Sequence, residues 1–592
     1  MNSHLLQNNR KLYAALLLCA GFIAGAPNTT YAQSNVEKVG ASSQRITVTG
    51  IVNDAEGPVI GASVRDKANP QTGAVTDIDG KFSISVPAGS TLIISYVGCD
   101  PQEVVATAGA PLDIMLNPSS ALLDEVVVVG FGTQKKVNLT GSVSVADQKA
   151  LSERPVVSAA QALQGVVPGL QITQGDGKLE TNASIQIRGN GTIGDGSSGS
   201  PLILIDGMEG DINTLNPQDI ESISVLKDAA AASIYGSRAP FGVILVTTKK
   251  GAQGKATINY NNSFRFSNLV NRNHTMDSKT FALFFDDACC NVPGWGPHFS
   301  KDTLEKIIAY QNGTYDPDGD GIFDPLNTMD DIWGNGNWQN VPFHGGGYAN
   351  TDWFSEIYKD HNFSQEHNLS VNGGTENFNY YFSANFLDQG GMLKWGDEGL
   401  KRYGLTGKFN VDITKWMEFG FSHRWVRRDY VRPSKLTDGL YDNLGRQGWP
   451  VIPIYDPNGN IFDCPSPING LENGGSDRAQ TDRNYTQLSL IFRPLKGWDI
   501  HAEFNYRVYS DQRHWDTQKL YGYDVDGNPF EISSGSHVHE EYTRENFYNL
   551  NIYSNYDWTL NEKNNFHFML GFQTEDMKQT KMGYQRDGIL MP

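Results

Sequence analysis

Residues 498–509 read WDIHAEFNYRVY, a stretch in which apolar and polar side chains alternate without interruption. Successive side chains of a β-strand point to opposite faces, so this alternation predicts a strand with two chemically different faces. One face carries Trp498, Ile500, Ala502, Phe504, Tyr506 and Val508. The other carries Asp499, His501, Glu503, Asn505 and Arg507. The stretch therefore predicts a strand lying between an apolar and a strongly polar environment.

The same alternation recurs through the second half of the chain. Nine segments follow it: 258–266, 367–372, 378–387, 401–413, 416–427, 484–493, 498–509, 546–560 and 565–574. Soluble sandwiches also alternate, but many of these segments are long, and their apolar faces are rich in aromatic residues. A transmembrane β-barrel needs strands of roughly 9–11 residues, an aromatic-flanked outer band and a polar interior. We therefore predict that residues 253–592 form an incomplete transmembrane antiparallel β-barrel.

The lengths of the connections favour the same architecture. Tight turns are predicted at 373–376 and 560–564, whereas long segments separate other strands at 267–366, 428–483 and 510–545. Outer-membrane barrels have short turns on the periplasmic side and long loops outside. The long segments are therefore predicted to be extracellular.

The region before the barrel contains three segments that differ in composition and in their pattern of apolar residues. Residues 1–32 have the layout of a secretory signal peptide, with Arg10 and Lys11 ahead of an apolar stretch shorter than the roughly 20 residues a spanning helix needs. Short strands broken by Gly, Pro and Asp predict a β-sandwich over 42–117. Short apolar strands with an Ala-rich helix predict an α+β domain over 137–252. The fold class predicted for the whole chain is mainly β.

Composition excludes some functions. The formal charge of −19 disfavours nucleic acid as a partner, because binding to phosphates needs a basic face. The sequence contains no HExxH or GxSxG motif, and nothing in it requires catalysis or a cofactor.

Six motifs follow one another along the chain: DEVVVVGFGTQKK at 124–136, LQGVVPGLQI at 163–172, IQIRGNG at 185–191, PLILIDGM at 201–208, IESISVLKDAAAASIYGSRAPFGVILVTTKKG at 220–251 and NTDWFSEIY at 350–358. Their order and spacing resemble those of the SusC/RagA family of TonB-dependent outer-membrane transporters. Residues 42–117 are similar to the carboxypeptidase-regulatory-like module. The resemblance implies a plug domain at 137–252 lodged in the barrel.

The family also implies partners and a ligand. These are the inner-membrane TonB complex, a SusD-like surface lipoprotein and an imported oligosaccharide or peptide. The resemblance implies a barrel of 22 strands, the size associated with a plugged lumen. Nine strands leave open edges, so the sequence is expected to be a fragment or a truncated product. The alternative function is a surface glycan-binding or adhesin protein without transport.

The resemblance gives the linker at 118–136 a role. Within it, the predicted TonB box consists of Asp124, Glu125, Val126, Val127, Val128 and Val129. An extended apolar segment can add to the edge of a partner's sheet through main-chain hydrogen bonds. The run is interpreted as a strand kept unpaired for TonB, the alternative being an ordinary last strand of the sandwich.

A calcium site is predicted in YDPDGDGIFDPLN. Asp316, Asp318, Asp320, the carbonyl of Ile322 and Asp324 occupy positions of a calcium loop. The twelfth position is Asn rather than the usual bidentate Glu, and a solvated acidic turn is the alternative. Bound calcium would stiffen an extracellular loop.

Four loop tryptophans are weaker candidates for contact with a ligand. Trp295, Trp333, Trp338 and Trp353 lie in the predicted extracellular segments, where an aromatic face stacks well on an amphipathic ligand such as a sugar ring. The alternative for each of them is packing within the loops.

Overall fold

A computed structural model describes residues 45–588 apart from short gaps at 55–56, 60, 70–71, 97–98, 100, 108, 110, 117–125, 130–131, 136–141, 153–155, 176, 180, 193–198, 271–272, 332–335, 337, 339–346, 463–466 and 561–563. The chain divides into two compact units, Met1–Glu125 and Val126–Pro592.

The first unit is a β-sandwich. Its strands are β1 (Arg45–Asp54), β2 (Gly57–Pro58), β3 (Ser63–Asp66), β4 (Gly73–Val75), β5 (Lys81–Pro87), β6 (Thr91–Ser95), β7 (Gln102–Val105) and β8 (Leu112–Met115). One sheet has the order β2-β1-β5, with β8 parallel to β1, and the other has the order β4-β3-β6-β7. Alternate residues such as Val52, Ile84 and Ile94 point inward and form a buried core.

The second unit begins with the predicted α+β domain. Its strands are β9 (Val126–Val129), β10 (Gly132–Lys135), β11 (Val143–Asp147), β12 (Leu170–Thr173), β13 (Ser184–Ile187), β14 (Leu202–Ile205), β15 (Met208–Glu209), β16 (Ile220–Leu226) and β17 (Val243–Thr248). Its helices are α1 (Gln148–Ser152), α2 (Ala159–Leu163) and α3 (Ala229–Ala232). The main sheet runs β11-β16-β17-β14-β15 and packs an apolar core that includes Leu163, Ile223 and Ile244.

One large antiparallel sheet follows. The remaining strands are β18 (Gly254–Ser267), β19 (Asn362–Gly374), β20 (Phe378–Gly390), β21 (Gly399–Thr414), β22 (Met417–Pro433), β23 (Ser476–Leu495), β24 (Trp498–Thr517), β25 (Leu520–Tyr523), β26 (Pro529–Ser533), β27 (His537–Leu560) and β28 (Asn564–Asp587). Strands β18–β24, β27 and β28 pair in chain order, while β25 and β26 form a separate hairpin. Every predicted strand is present, and the nine strands are longer than the segments that predicted them.

The distribution of apolar and polar side chains on the two faces of the sheet is the reverse of that in a water-soluble protein. Large apolar side chains are exposed on one face, including Phe382 at 51% and Leu405 at 52%. Polar side chains are buried on the other face, including Lys408 at 8% and Asn505 at 0%. A sheet with an apolar outside and a polar inside suits a lipid environment. Within the described residues, no helix is both long and apolar enough to cross a membrane.

Aromatic rings border the exposed apolar band. Toward the long loops, Phe386 packs near Tyr403 with ring centroids 5.2 Å apart, and the ring centroids of Tyr506 and Tyr548 are 4.7 Å apart. Beside the short turns, Trp558 and Phe566 are 5.5 Å apart. Aromatic belts at both edges of an apolar band mark the two membrane interfaces.

The long connections fold on a core of their own. They contain α4 (Ser278–Cys290), α5 (Lys301–Gln311), α6 (Trp353–Ile357), α7 (Leu440–Gln447) and α8 (Ile468–Asn473). Their buried apolar residues include Ile307, Trp353, Leu444 and Ile452. The loops therefore form a packed layer at one end of the sheet, rather than separate flexible excursions.

Candidate functional site

The plug, here residues 143–248, meets the polar face of the large sheet at a tight turn between β14 and β15. The turn consists of Asp206 and Gly207, which have φ values of 49° and 84°. An Asp-Gly pair with positive φ is a preferred two-residue connection of a β-hairpin. The hairpin directs the Asp206 carboxylate toward Lys408 of β21, whose Nζ lies 2.9 Å from Oδ2.

Asp206 is fully hydrogen-bonded in this position. The backbone N–H of Thr248 donates to Oδ1 at 2.9 Å, and the Thr248 hydroxyl donates to Oδ2 at 2.7 Å. Burial alone would raise the pKa of Asp206, but the charge and hydrogen bond of Lys408 and the Thr248 N–H outweigh it and hold the pKa below its ordinary value. Asp206 is therefore an anion, with a side chain that is 16% exposed, paired with the buried cation of Lys408.

A second cation lies beside this pair. Arg424 is 8% exposed, and its guanidinium lies 4.3 Å from the centre of the Tyr485 ring. Its Nε has no hydrogen-bond partner among the described residues. A cavity of about 10 Å³, roughly the space of one water, is lined by Asp206, Lys408, Arg424 and Tyr485. The site thus holds two cationic groups around one carboxylate.

Two further plug carboxylates contact the sheet. Arg483 Nη1 lies 2.6 Å from Asp211 Oδ2. Burial alone would raise the pKa of Asp211, but the charge and hydrogen bond of Arg483 and the hydrogen bonds from Asn213 together outweigh burial and hold the pKa below its ordinary value. Asp219 accepts hydrogen bonds from the Tyr381 hydroxyl at 2.8 Å and the Asn385 amide at 3.1 Å. The plug therefore contributes carboxylates, and the sheet contributes the hydrogen-bond donors that they contact.

Contacts continue toward the loop end of the sheet. Lys178 of the plug forms an ion pair with Asp438, which lies just before α7. Arg428 of β22 donates to the carbonyl of Leu179 at 2.6 Å. The plug is thus linked both to the sheet and to the loop layer.

The chemistry of this interface suits reversible docking. Charge-assisted hydrogen bonds fix one orientation, and water can replace each of them when the surfaces part. The apolar core of the plug, which includes Leu163 and Ile244, lies inside the plug rather than in the contact. The plug can therefore leave the wall without exposing its own core.

The sequence contained one signal for this site. The Asp-Gly pair in PLILIDGM predicts a turn after a buried strand, but nothing local in the sequence names its partner. Asp206 and Lys408 are 202 residues apart. The pairing appears once the strands are in register.

Part of the predicted TonB box lies outside the described residues, namely Asp124 and Glu125. Val126, Val127, Val128 and Val129 form β9, which pairs with β10 so that Val129 lies opposite Gly132. The expectation of an unpaired strand is therefore corrected. Strand β10, which carries Lys135, pairs with one edge of β9. The role of the segment as a TonB box stays a prediction.

The predicted calcium loop brings three of its acids together. Carboxylate oxygens of Asp316, Asp318 and Asp320 lie within 4.8 Å of one another. The N–H of Gly321 is the main cause of a pKa below the ordinary value for Asp316.

Asp324 stands apart from this group, whereas Ile322 contacts it through its backbone N–H. The Asp324 carboxylate accepts from the N–H groups of Leu326 and Asn327 at 2.9 and 3.1 Å. The N–H of Ile322 donates to Asp320 at 2.8 Å. Three carboxylates are hard oxygen ligands that fit a divalent cation, and the calcium site stays a prediction.

The tryptophans differ in what they can touch. Trp295 is 63% exposed, and Trp333 lies outside the described residues. Trp338 is half-buried against the loop core. Trp353 is 1% exposed and donates its indole N–H to the carbonyl of Trp449 at 2.9 Å. Trp353 as a ligand contact is therefore wrong, because its ring is sealed inside the loop core.

Comparisons with known proteins agree with this architecture. Residues 135–243 match the TonB-dependent Receptor Plug Domain, and residues 48–128 match the CarboxypepD_reg-like domain. The chain is 33% identical to the TonB-dependent receptor SusC of Bacteroides thetaiotaomicron over 60% of this chain and 31% of that protein. It is 28% identical to the TonB-dependent receptor P39 of Formosa agariphila over 92% of this chain and 47% of that protein.

The fold is also similar to a solved structure, the RagAB peptide importer in its open-open state. The TM-score is 0.63 at 24% identity, over 79% of this chain and 51% of that chain. The chain thus spans less than half the length of the two curated relatives and about half of the structural neighbour.

A plug docked on the polar face of an antiparallel sheet with an apolar, aromatic outer face defines a TonB-dependent receptor, a class of outer-membrane protein. Within that class, the chain is similar in sequence to SusC and P39, as the resemblance to the SusC/RagA family predicts. The predicted resemblance, the mainly β fold class and the outer-membrane location are confirmed. The matched relatives are named as receptors rather than enzymes.

Proposed function

We propose that this chain serves TonB-dependent import of a large nutrient, an oligosaccharide, across the outer membrane. The observation that carries the proposal is the plug seated on the polar face of the sheet by Asp206, Asp211 and Asp219. A surface adhesin does not require a plug domain held against the polar face of its sheet by charged contacts. Such a domain serves as a gate.

In the proposed mechanism, the contacts made by the plug acids are the ones that open. A pull applied to the segment at 124–129 reaches the plug through β11, which pairs with β16 at the edge of the plug sheet. The charge-assisted contacts of Asp206, Asp211 and Asp219 hold the plug closed until energy is supplied. TonB supplies that energy, and water fills the sites that the carboxylates leave.

The proposed partner at the cell surface is a SusD-like lipoprotein seated over the loop layer. Its role is to hold the ligand against the loops while the plug opens. The RagAB neighbour is named as a peptide importer, and the SusC relative is named as a receptor. A peptide is therefore the alternative ligand class that an uptake experiment must include.

A calcium ion is proposed at Asp316, Asp318 and Asp320, with no role in the transport step. Its effect would be to screen three carboxylates that lie within 4.8 Å of one another. The loop before β19 would then hold its shape at the cell surface.

Accumulation of labelled oligosaccharide by cells tests the function directly. Deleting residues 124–129 is expected to abolish energy-dependent accumulation, while binding measured in the cold with a protonophore is unchanged. Deleting residues 118–123, six neighbouring residues of the same linker, is the matched control and is expected to retain uptake. Normal uptake after the 124–129 deletion would overturn the box assignment. Absence of oligosaccharide uptake in wild-type cells, with peptide uptake in its place, would overturn the ligand class.

A further inference from the structure

A groove of about 460 Å³ lies along α7 in the loop layer. This volume is within the range of small-molecule sites, roughly 300–1,000 Å³. Its lining includes Asn273, Phe354, Tyr441, Asp442, Asn443 and Arg446. The groove is separate from the buried plug contacts.

The orientation of α7 explains why polar groups line the groove. Leu440 and Leu444 are four residues apart and lie on the buried side of the helix, in the loop core. Asp442, Asn443 and Arg446 consequently lie on the exposed side. The helix is fixed by its apolar face and presents three hydrogen-bonding side chains to solvent.

These side chains are partly organised and partly free. Arg446 donates to the Asn443 side-chain carbonyl at 2.8 Å, which holds the two groups together. Within the described part of the chain, the side chains of Asp442 and Asn273 make no hydrogen bond or ion pair. Their acceptors and donors are available to a bound molecule.

The balance of charge and shape indicates the class of ligand. Asp442 and Arg446 cancel in charge, so the groove attracts neither a polyanion nor a polycation. The two asparagine amides each donate and accept, which matches hydroxyl groups. Tyr441 supplies an aromatic ring, supported by Phe354 with ring centroids 4.9 Å apart. An aromatic ring bordered by amides and a carboxylate suits the apolar face and the hydroxyl edge of a sugar.

We propose that the α7 groove is a binding subsite for a neutral saccharide, with Asp442, Asn443 and Arg446 contacting its hydroxyl groups. The inference rests on the proposed import function and specifies where its ligand binds. It also gives the ligand a route to the plug, because Asp438 precedes α7 and forms an ion pair with Lys178. A saccharide that orders α7 would bias that contact.

Binding by the purified full chain in detergent tests the subsite. The probes are neutral malto-, manno-, xylo- and fructo-oligosaccharides, together with a sulfated oligosaccharide and unlabelled peptides. Asp442→Asn and Asn443→Ala are each expected to weaken neutral saccharide binding about tenfold or more, since each removes a hydrogen-bonding group. Glu305→Gln on α5, an exposed charge outside the groove, is the matched control and is expected to leave binding unchanged.

The outcomes separate the subsite from the function. Wild-type affinity in both groove variants, with saccharide uptake intact in cells, would overturn the subsite and leave import standing. Binding of the sulfated oligosaccharide or a peptide that depends on Asp442 would overturn the neutral saccharide class. The route to the plug predicts that Lys178→Ala binds the saccharide with unchanged affinity. It also predicts that the change in hydrogen exchange that the ligand causes at residues 177–179 differs between this variant and the wild type. Identical exchange in that variant and wild type would refute it.

Discussion

Replacing Lys408 with Met should loosen the plug from the wall. The substitution keeps the length of the side chain but leaves the Asp206 carboxylate without its closest cation, 2.9 Å away. Removing one partner of a buried pair costs about 3–5 kcal/mol. Thr248 still donates two hydrogen bonds to Asp206, so the loss should lie near the lower end of that range.

Hydrogen exchange on the plug peptide at 200–210 measures this loss. A cost of about 3 kcal/mol corresponds to roughly a hundredfold faster exchange, when the exchange rate is proportional to the equilibrium population of the open state. Removing both charges, as in Lys408→Met combined with Asp206→Asn, should restore much of the protection, because no unpaired buried ion remains.

A matched control separates this effect from a general loss of charge. Arg493→Met breaks a 2.7 Å pair with Glu418 in which the arginine side chain is 42% exposed. Exposed pairs contribute about 1 kcal/mol or less, so exchange at 200–210 should not change. Less than threefold faster exchange in Lys408→Met would refute the assignment of this pair as a plug contact.

Three other features of the loop layer give separate tests. Trp353→Ala should destabilise the loop layer by about 3–5 kcal/mol, measured by exchange at 440–447, whereas Trp295→Ala should leave it unchanged; equal effects would contradict the buried position of Trp353. Burial alone would raise the pKa of Asp352, but hydrogen bonds from Ser355, the His274 ring and the Thr275 N–H together outweigh burial and lower the pKa to about 2. Because this pKa is depressed, the stabilisation is present above the ordinary value of 3.8 and is lost as pH falls toward about 2. Asp352→Asn should therefore cost about 1 kcal/mol at neutral pH, allowing for solvent screening, and little at low pH, as followed by exchange at 273–280; a cost independent of pH would contradict this. Asp316→Asn should weaken calcium binding about tenfold in calorimetry while Asp324→Asn has little effect, since Asp324 lies apart from the three converging acids; equal effects, or no calcium binding by the wild type, would contradict the site.

The alternation of side chains was sufficient to predict the membrane sheet. Each face of a strand such as β24 meets a single environment, lipid or plug, and the sequence records that difference at every second residue. The strands were predicted too short for the same reason. Beyond Trp425, the outward-facing Arg427 and its partner Asp482 are both polar, so alternation stops while hydrogen bonding between strands continues.

Contacts between distant segments were beyond the reach of sequence patterns. Lys408 follows the expected polar phase of β21, but its pairing with Asp206 depends on a plug hairpin far earlier in the chain. The position of Trp353 in a long connection predicts a ring that is exposed to a ligand. The same connection folds on an apolar core, and a large aromatic residue fills it. The valine run predicted a strand correctly, but the returning strand β10 carries no apolar pattern to indicate that it pairs with β9.

The most direct test of the two-faced sheet is a nitroxide scan of residues 402–410 in outer-membrane vesicles. Labels at Leu405 and Phe409 should collide with oxygen, which concentrates in lipid, and be shielded from a water-soluble nickel complex. Labels at Thr406 and Lys408 should be immobile and protected from oxygen, because the plug covers that face. A period of two residues in oxygen access is the expected result. Equal access of the nickel complex to neighbouring positions would contradict a sheet placed between lipid and plug.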